Sequence, residues 1–350
     1  MKKYFLIASL FLAVFISACG DKKTEQPENA QLDSTIYVYD STEIKAQPIE
    51  DSSAFQLAYN FSKGEKIRYR LSTISDNVQT LTTDTSITMK LHQEVVYVFD
   101  FIPKEIDQDG VTEADINILG VKLSANVNGE KFEFEAGKSQ DSTQIVRFAE
   151  FLALWNNPFS IRFNKAGEVL EVFRADKIAN KFFNLRNADT VDTQTKNMVK
   201  DEMVGSVLKP LVLQIIRKMP EQKLSKDSTW SFPQPPIPVM VFQLSFTNNY
   251  KIKQLEKLGD SRLAVIEAGM DYDVTGNNRL EERGVVYNFK KPVSTGEGTI
   301  YFNIDKGRIQ KSKTKSYTET SFTFDATTPQ GKQKGSRKET VSNTSILEML

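Results

Sequence analysis

A period of two constrains this chain more than any other feature of its sequence. In "ITMKLHQEVVYVFDF" the residues Ile87, Met89, Leu91, Val95, Tyr97, Phe99 and Phe101 are apolar and all odd-numbered. Successive side chains of a strand point to opposite faces, so these residues share one face. Only Gln93 interrupts the stripe, which predicts a bulge or a strand bent around a core. In "FQLAYNF", Phe55, Leu57, Tyr59 and Phe61 share a face, and after "SKGE" so do Ile67, Tyr69 and Leu71. That pair of runs predicts a hairpin. Further strands are expected in "ADINIL", "VKLSANV" and "KFEFEA", the last two joined by "NGE". From Thr229 onward "VMVFQLSF", "YKIKQLEKL", "LAVIEAGMDYDV", "GVVYNF", "GTIYFNI" and "RIQKSKTKSYTETSFTF" continue the pattern. Alternation between apolar and polar faces specifies antiparallel pairing with one face buried. The expected fold is mainly β (α+β): a curved antiparallel sheet, or two related β halves, with a minority of covering helices.

The helical period is confined to mid-chain. Ile145, Phe148, Leu152 and Trp155 recur at i, i+3, i+7 and i+10, with Ser142 or Thr143 as the expected cap and Pro158 as the stop. A second helical region is expected from about Ala175 to Met219. There Val204, Val207, Leu208, Leu211 and Ile215 fall on one face, and Pro210 should start or kink a helix. Between these regions "PFSIRFNKAGEVLEVF" reads as a hairpin. The proline cluster "FPQPPIPV", Phe232 to Val239, cannot sit in a central strand and reads as a linker. It would separate halves 54–228 and 229–350 of a β-rich body covering 54–350. Echoes between 55–69 and 242–254, and between 158–173 and 298–312, suggest a duplication, but their offsets differ. Coincident hairpin chemistry explains them as well.

The N-terminus carries an address. Lys2 and Lys3 precede the apolar run Tyr4 to Ile16, which is too short for a membrane span of about 20 residues. Ile16, Ser17 and Ala18 then precede Cys19, the one cysteine of the chain. Small residues before a cut suit a signal peptidase, and a cysteine at the first mature position matches a lipobox. Residues 1–18 are therefore expected to be removed as a lipoprotein signal peptide, with Cys19 acylated and 19–53 a flexible tether. The apolar "TIYVY" within that tether has two readings, a short docked strand or a transient contact. More than one acyl chain anchors a protein stably, so the expected location is the outer membrane, on its periplasmic or surface face. Acylation also removes the only thiol, and with it disulfides and thiol chemistry.

Chemistry is sparse in what remains. Removing Lys2 and Lys3 leaves 43 basic against 45 acidic side chains, which gives no electrostatic footprint for nucleic acid. His92 is the only histidine, so a Ser-His-Asp site or a multi-histidine metal site has little to draw on. It falls on the polar phase of its strand and reads as solvated. "EIDQDGVTE" places Glu105, Asp107 and Asp109 before Gly110, but a calcium loop needs a glutamate where Ile116 stands. It reads as an acidic turn. "GEGTIYFN" lacks the lysine of a phosphate-binding loop. Lys311, Lys313 and Lys315 line one face of a strand polar on both faces, which reads as an exposed edge. No metal or cofactor is expected.

At "SKGEKIRYRL" (Ser62 to Leu71), at Pro220 with Trp230 in "KLSKDSTWSF", and at "GEGTIYFNIDKG" (Gly296 to Gly307), the chain resembles a family of functionally uncharacterised Bacteroidota lipoproteins. The resemblance covers about residues 54–312. The family's usual Gly-Asp before Ser-Trp stands here as Lys226-Asp227-Ser228-Thr229-Trp230. It implies an envelope location and a β-rich fold, and supplies no catalytic residue. The functional expectation is a membrane-anchored, non-enzymatic binding or scaffold module. Its partner would be a hydrophobic ligand or an envelope protein. The alternative is a carboxylate-dependent hydrolase acting on envelope glycans.

Overall fold

The computed structural model describes residues 32–51, 53–328 and 331–350. Ile16, Ser17, Ala18 and Cys19 lie outside the described residues. The strands in chain order are β1 (Gln47–Ile49), β2 (Ile67–Thr82), β3 (Ser86–Ile106), β4 (Thr112–Val127), β5 (Glu130–Glu135), β6 (Phe159–Phe163) and β7 (Val169–Phe173). They continue with β8 (Thr229–Pro233), β9 (Ile237–Val239), β10 (Phe242–Leu258), β11 (Ser261–Gly276), β12 (Arg279–Glu282), β13 (Val285–Asn303), β14 (Arg308–Thr328) and β15 (Gly331–Met349). All belong to one antiparallel sheet in the order β1-β10-β11-β13-β14-β15-β2-β3-β4-β6-β7, with β5, β8, β9 and β12 as side branches. The sheet does not close on itself. The fold is thus mainly β with few helices, as the period of two requires.

Pairing of β15 with β2, from Ser336↔Thr82 to Met349↔Tyr69, joins the end of the chain to its beginning. One ladder therefore runs through 54–228 and 229–350 alike. Turn chemistry fixes the short hairpin: Asn128 and Gly129 both take positive φ (52° and 98°) between Val127 and Glu130. Such a two-residue turn matches the right-handed twist of its strands.

The sheet curls. The Tyr59 ring lies 6.0 Å from that of Phe163 on β6 and 5.5 Å from that of Phe302 on β13. Those strands are six steps apart in the sheet, which would be about 29 Å on a flat sheet at about 4.8 Å per strand. One tyrosine reaches both because that end of the sheet wraps around its core. Phe99, Phe101, Ile116, Ile161, Ile266, Ile300 and Phe302 point inward there and are fully buried.

Helices fill the inner side of this end. They are α1 (Ser142–Arg147), α2 (Ala149–Leu154), α3 (Asp176–Leu185), α4 (Thr193–Met203) and α5 (Lys209–Ile215), with a π turn at Val204–Leu208 before Pro210. The expected first helix is two: the chain breaks at Phe148. Its cap is Asp141, which with Gln144 forms a reciprocal capping box, rather than Ser142 or Thr143. Among the described residues no helix is long and apolar enough to cross a membrane.

Four sequence expectations are corrected. Residues 55–61 do not pair with β2, because β3 and β15 occupy both of its edges. They cross the inner face instead, burying Phe55, Leu57, Tyr59 and Phe61 while backbone N–H groups of Phe55, Tyr59 and Asn60 donate to Leu224, Lys165 and Gly307 carbonyls. Gln93 is not bulged: it pairs with Ser75 and Ala125 in register, and the shifts in the β3–β4 pairing lie at Val98/Phe99 and Pro103/Glu105. The proline cluster lies along β10 as the edge strands β8 and β9, where a missing N–H costs little. Finally, β14 pairs on both sides and is no edge.

The lysines of β14 hold down a strap. Residues 32–49 cross the outer face from β3 to β10. Tyr37 packs on Val96 and Val98, over Gly120, where any Cβ would collide with its ring. Burial pushes the Tyr37 phenol up to about 12, with Glu135 adding to the shift. Arg70 donates to the Ile36 carbonyl at 3.0 Å, and Lys313 donates to that of Ser41 at 2.9 Å. Between them, buried Glu348 accepts from Arg70 (2.8 Å), Lys311 (3.5 Å) and the Asp40 N–H (3.2 Å). The strap ends as β1, paired with β10. The stretch "TIYVY" is thus ordered as a 3-10 turn, Ser34–Tyr37.

Candidate functional site

Register divides the inner face into zones. The row Tyr97–Leu71–Leu347–Ser312–Ile300–Ile266–Ile252 lies in the core. Two rows farther along the strands, the corresponding residues are Gln93–Ser75–Asn343–Ser316–Gly296. These side chains are small or polar, so the core stops there. Beyond them β13 and β14 turn apolar again, while β15 places Arg337 between Leu81 and Phe322 and Glu339 between Gln79 and Thr320. Phe289 and Phe322 pair across β13 and β14 with ring centroids 5.3 Å apart. Tyr287 and Phe242 extend the group at 5.8 Å from Phe322 and 6.5 Å from Phe289.

This outer stretch is a separate cluster: Phe242, Leu244 and Val274, flanked by Val239, Val241, Phe246 and Phe289. Helices give Phe151, Leu152, Leu208, Leu211 and Ile215 to the core cluster and nothing to this one. On the same face of the other arm, Leu81, Ile87 and Met89 are exposed, Ile87 to 66%. The odd-numbered stripe of β3 therefore does share one face throughout. It is buried at one end of the strand and bare at the other.

Where the two zones meet on β10, an unusual polar group stands among aromatics. Trp230 of β8 stacks on Tyr250 of β10 at 5.4 Å, and Phe232 meets Tyr250 edge-on at 6.3 Å. Arg217, just past α5, is held by its backbone: its N–H donates to Tyr59 Oη at 2.8 Å, and the Tyr59 hydroxyl donates back to its carbonyl at 3.2 Å. Its guanidinium donates to Gln214 Oε1 at 2.7 Å. Its Nε and the indole Nε1 of Trp230 are buried with no partner among the described residues. Burial pushes the Arg217 pKa down, opposed by Tyr250 and Tyr59, and no carboxylate acts on it. An arginine stays protonated even so. The arrangement is a half-buried cation with two buried spare donors, Arg217 Nε and Trp230 Nε1, facing a wall of rings.

Other candidates lie on the outer face. His92 Nδ1 is 2.8 Å from Asp76 Oδ1, both half-exposed, in a shallow groove of about 350 Å³ with Lys90 and Asn126. A second shallow groove of about 440 Å³ is rimmed by Thr229, Ser231, Asn249, Lys251 and Glu267, its floor open because Gly269 has no side chain. "EIDQDGVTE" forms the β3–β4 turn, with Val111 N–H bound to Asp107. Among the described residues no three His, Cys, Asp or Glu side chains gather to hold a metal. Carboxylates that share a cation are neutralised by it: Glu113, Asp115 and Glu171 by Arg162 and Arg174, Asp51 and Asp305 by Arg262, and Asp40 and Glu348 by Lys311.

Trp230 falls in a motif the sequence singled out, without a role; Arg217 was missed. Its signal is a cation within "LVLQIIRKMP", an otherwise apolar helix end stopped by Pro220.

Among solved structures, the chain is similar to one of lipovitellin described for lipid–protein interactions, at 10% identity and TM-score 0.41 over 83% of this chain. It spans about a quarter of that chain's length. It is also similar to OccK7 of Pseudomonas aeruginosa (7% identity, TM-score 0.20, covering 82% of this chain and 99% of that one). An outer membrane channel of Pseudomonas putida F1 gives 6% identity and TM-score 0.17, covering 83% and 97%. Similarities this distant do not establish a shared fold. No curated protein matches the chain. A family model matches residues 109–309, from within the β3–β4 turn to the start of β14, and by that match the chain belongs to the family of unknown function DUF6263.

Proposed function

We propose that this chain is a non-enzymatic binding module that holds a hydrophobic ligand on the outer half of its inner sheet face, and that an acylated Cys19 keeps it on the outer membrane. One observation carries the binding role. Beyond the polar row that ends the core, the inner face carries a second apolar group that no helix covers. Exposed apolar surface marks sites of interaction, and Leu81, Ile87 and Met89 are exposed on that face. The hydrolase reading gains no such support, because the carboxylates that share a cation are neutralised by it.

Native mass spectrometry of the purified chain tests the binding role. A co-purifying lipid that is lost in Phe322→Ser and Ile87→Ser variants supports it. A clean apo mass, together with no uptake from added lipid, sinks it and leaves an envelope protein as the partner to seek. The anchor is tested separately by metabolic acyl labelling, which should disappear in Cys19→Ala.

A further inference from the structure

We infer that the ligand of this face is an anionic amphiphile with one acyl chain, its carboxylate or phosphate head received by Arg217 and Trp230. The inference rests on the hydrophobic-ligand reading and assigns the polar end of that ligand.

Three observations lead to it. First, Arg217 is a half-buried cation without a carboxylate partner among the described residues. Leaving a charge buried and unpaired is costly, whereas a matching anion restores the balance. Second, the unsatisfied atoms at this spot are both donors, Arg217 Nε and Trp230 Nε1. An ionised head group is acceptor-only, so it satisfies both, and charge-assisted hydrogen bonds are the stronger kind. The nearby Lys218 ammonium, 5.5 Å from the Phe232 ring centroid, is already paired with Glu168 at 3.4 Å, which leaves Arg217 as the unpaired cation of this spot.

Third, a track for the tail starts at that spot. From Tyr250 the inner-facing residues of β10 are Asn248 and Phe246, paired with Met270 and Tyr272 of β11 and all at least partly exposed; beyond them Leu244 and Phe242 are buried in a cluster with Val239, Val241 and Phe289. The four residue steps from Tyr250 to Phe246 cover about 13 Å at about 3.3 Å each, and the partly buried Phe289 of the same cluster continues the apolar surface beyond it. An acyl chain that spans one leaflet, about half of a hydrocarbon core of about 30 Å, fits along the two together. Across the face from Tyr250, Ala268 and then Gly298 present no bulk. The guanidinium sits at the covered end of the track and the partly exposed rings of Phe246 and Phe289 at the other. The head would therefore lie deep and the tail would run toward the sheet tips.

Titration calorimetry of the full chain with palmitate, lysophosphatidic acid, hexadecanol and inorganic phosphate tests this. Palmitate or lysophosphatidic acid should bind at least tenfold more tightly than hexadecanol, and whichever is tighter identifies the head. Arg217→Met keeps the aliphatic stem but removes the charge. It should weaken the anionic ligand about ten- to hundredfold, as losing a charged hydrogen bond does, while hexadecanol changes less than twofold. The same variant should unfold at an equal or higher temperature, because it removes an unpaired, half-buried charge; a merely structural arginine would lower it. Trp230→Phe keeps the ring and should cost a smaller factor. Equal binding of palmitate and hexadecanol overturns the head-group site but leaves the hydrophobic-ligand reading standing. Binding of none overturns both. Phosphate binding as tightly as the amphiphiles overturns the tail assignment, and a loss of fold in Arg217→Met with equal loss for every ligand overturns the arginine's role.

Discussion

The two ends of the long strands share one register and one alternation, yet they behave as different materials. At the covered end, Phe99 and Phe101 of β3 are 0% exposed, packed under residues 55–61 and the helices. At the open end, Ile87 and Met89 of the same strand and the same face are bare. The difference teaches that alternation specifies which face a residue takes and leaves open whether anything covers that face. Cover comes from chain segments remote in sequence. Where it is missing, the apolar face is available to a ligand.

Large-to-small changes should break this comparison most visibly. Phe101→Ala should cost about 3–5 kcal/mol, the usual range for a buried phenylalanine. Phe322→Ala at the open end should cost less than about 1 kcal/mol, because it leaves little new cavity. Urea denaturation of the two variants checks this, and comparable losses would mean that the open end is as packed as the core. Next in size is the ionic group beneath the strap. Glu348→Gln leaves Arg70 and Lys311 buried without their shared carboxylate. It should cost about 3 kcal/mol, the scale of breaking a buried pair, and should expose the Ser34–Tyr37 segment to protease. Tyr37→Ala should follow at about 2 kcal/mol, the value of burying one such side chain, with the same proteolytic signature and little effect on ligand binding at the inner face.

The smallest effect depends on pH. Glu65 meets Arg308 at 2.7 and 3.0 Å, and that pairing, working against partial burial, holds its carboxyl below the usual range. A depressed carboxyl stabilises the folded chain above its unfolded value of about 4.3 and loses that contribution as pH falls through the lower folded value. Glu65→Gln should therefore be less stable than the wild type at neutral pH, and the two should converge below about pH 4. Denaturation midpoints that stay equally far apart at acid pH would assign the effect to packing of Arg308 on Phe61 instead.

Much of the architecture is legible in the sequence because strand faces are local. The β3 stripe, the Asn128–Gly129 turn, the hairpin of β6 and β7 and Pro210 at the head of α5 each follow from neighbours within a few residues. What is not legible depends on partners far away. "FQLAYNF" alternates like a strand, yet its inward face is what matters, since β15 arrives from the other end of the chain to take the edge of β2. Lys311, Lys313 and Lys315 look like edge lysines until Asp40 and Ser41 come down on the first two. The candidate site was harder still. Arg217 and Trp230 are 13 residues apart in sequence, and each lies beside Tyr250 of a strand still farther along the chain.

The pairing of β15 with β2 also sets how this protein must fold. Arg70 and Glu348 are 278 residues apart in sequence, so the middle of the sheet is among its last parts to assemble. Long-range pairing of this kind is slow, because the loop must close before its contacts repay it. A chain emerging from its N-terminus carries β2 and β3 as an unfinished ribbon with one unmatched edge, a template for pairing with other chains. The last strand is therefore a guard against aggregation as well as a structural element. A truncation ahead of Gly331 should yield insoluble chains rather than a smaller folded domain.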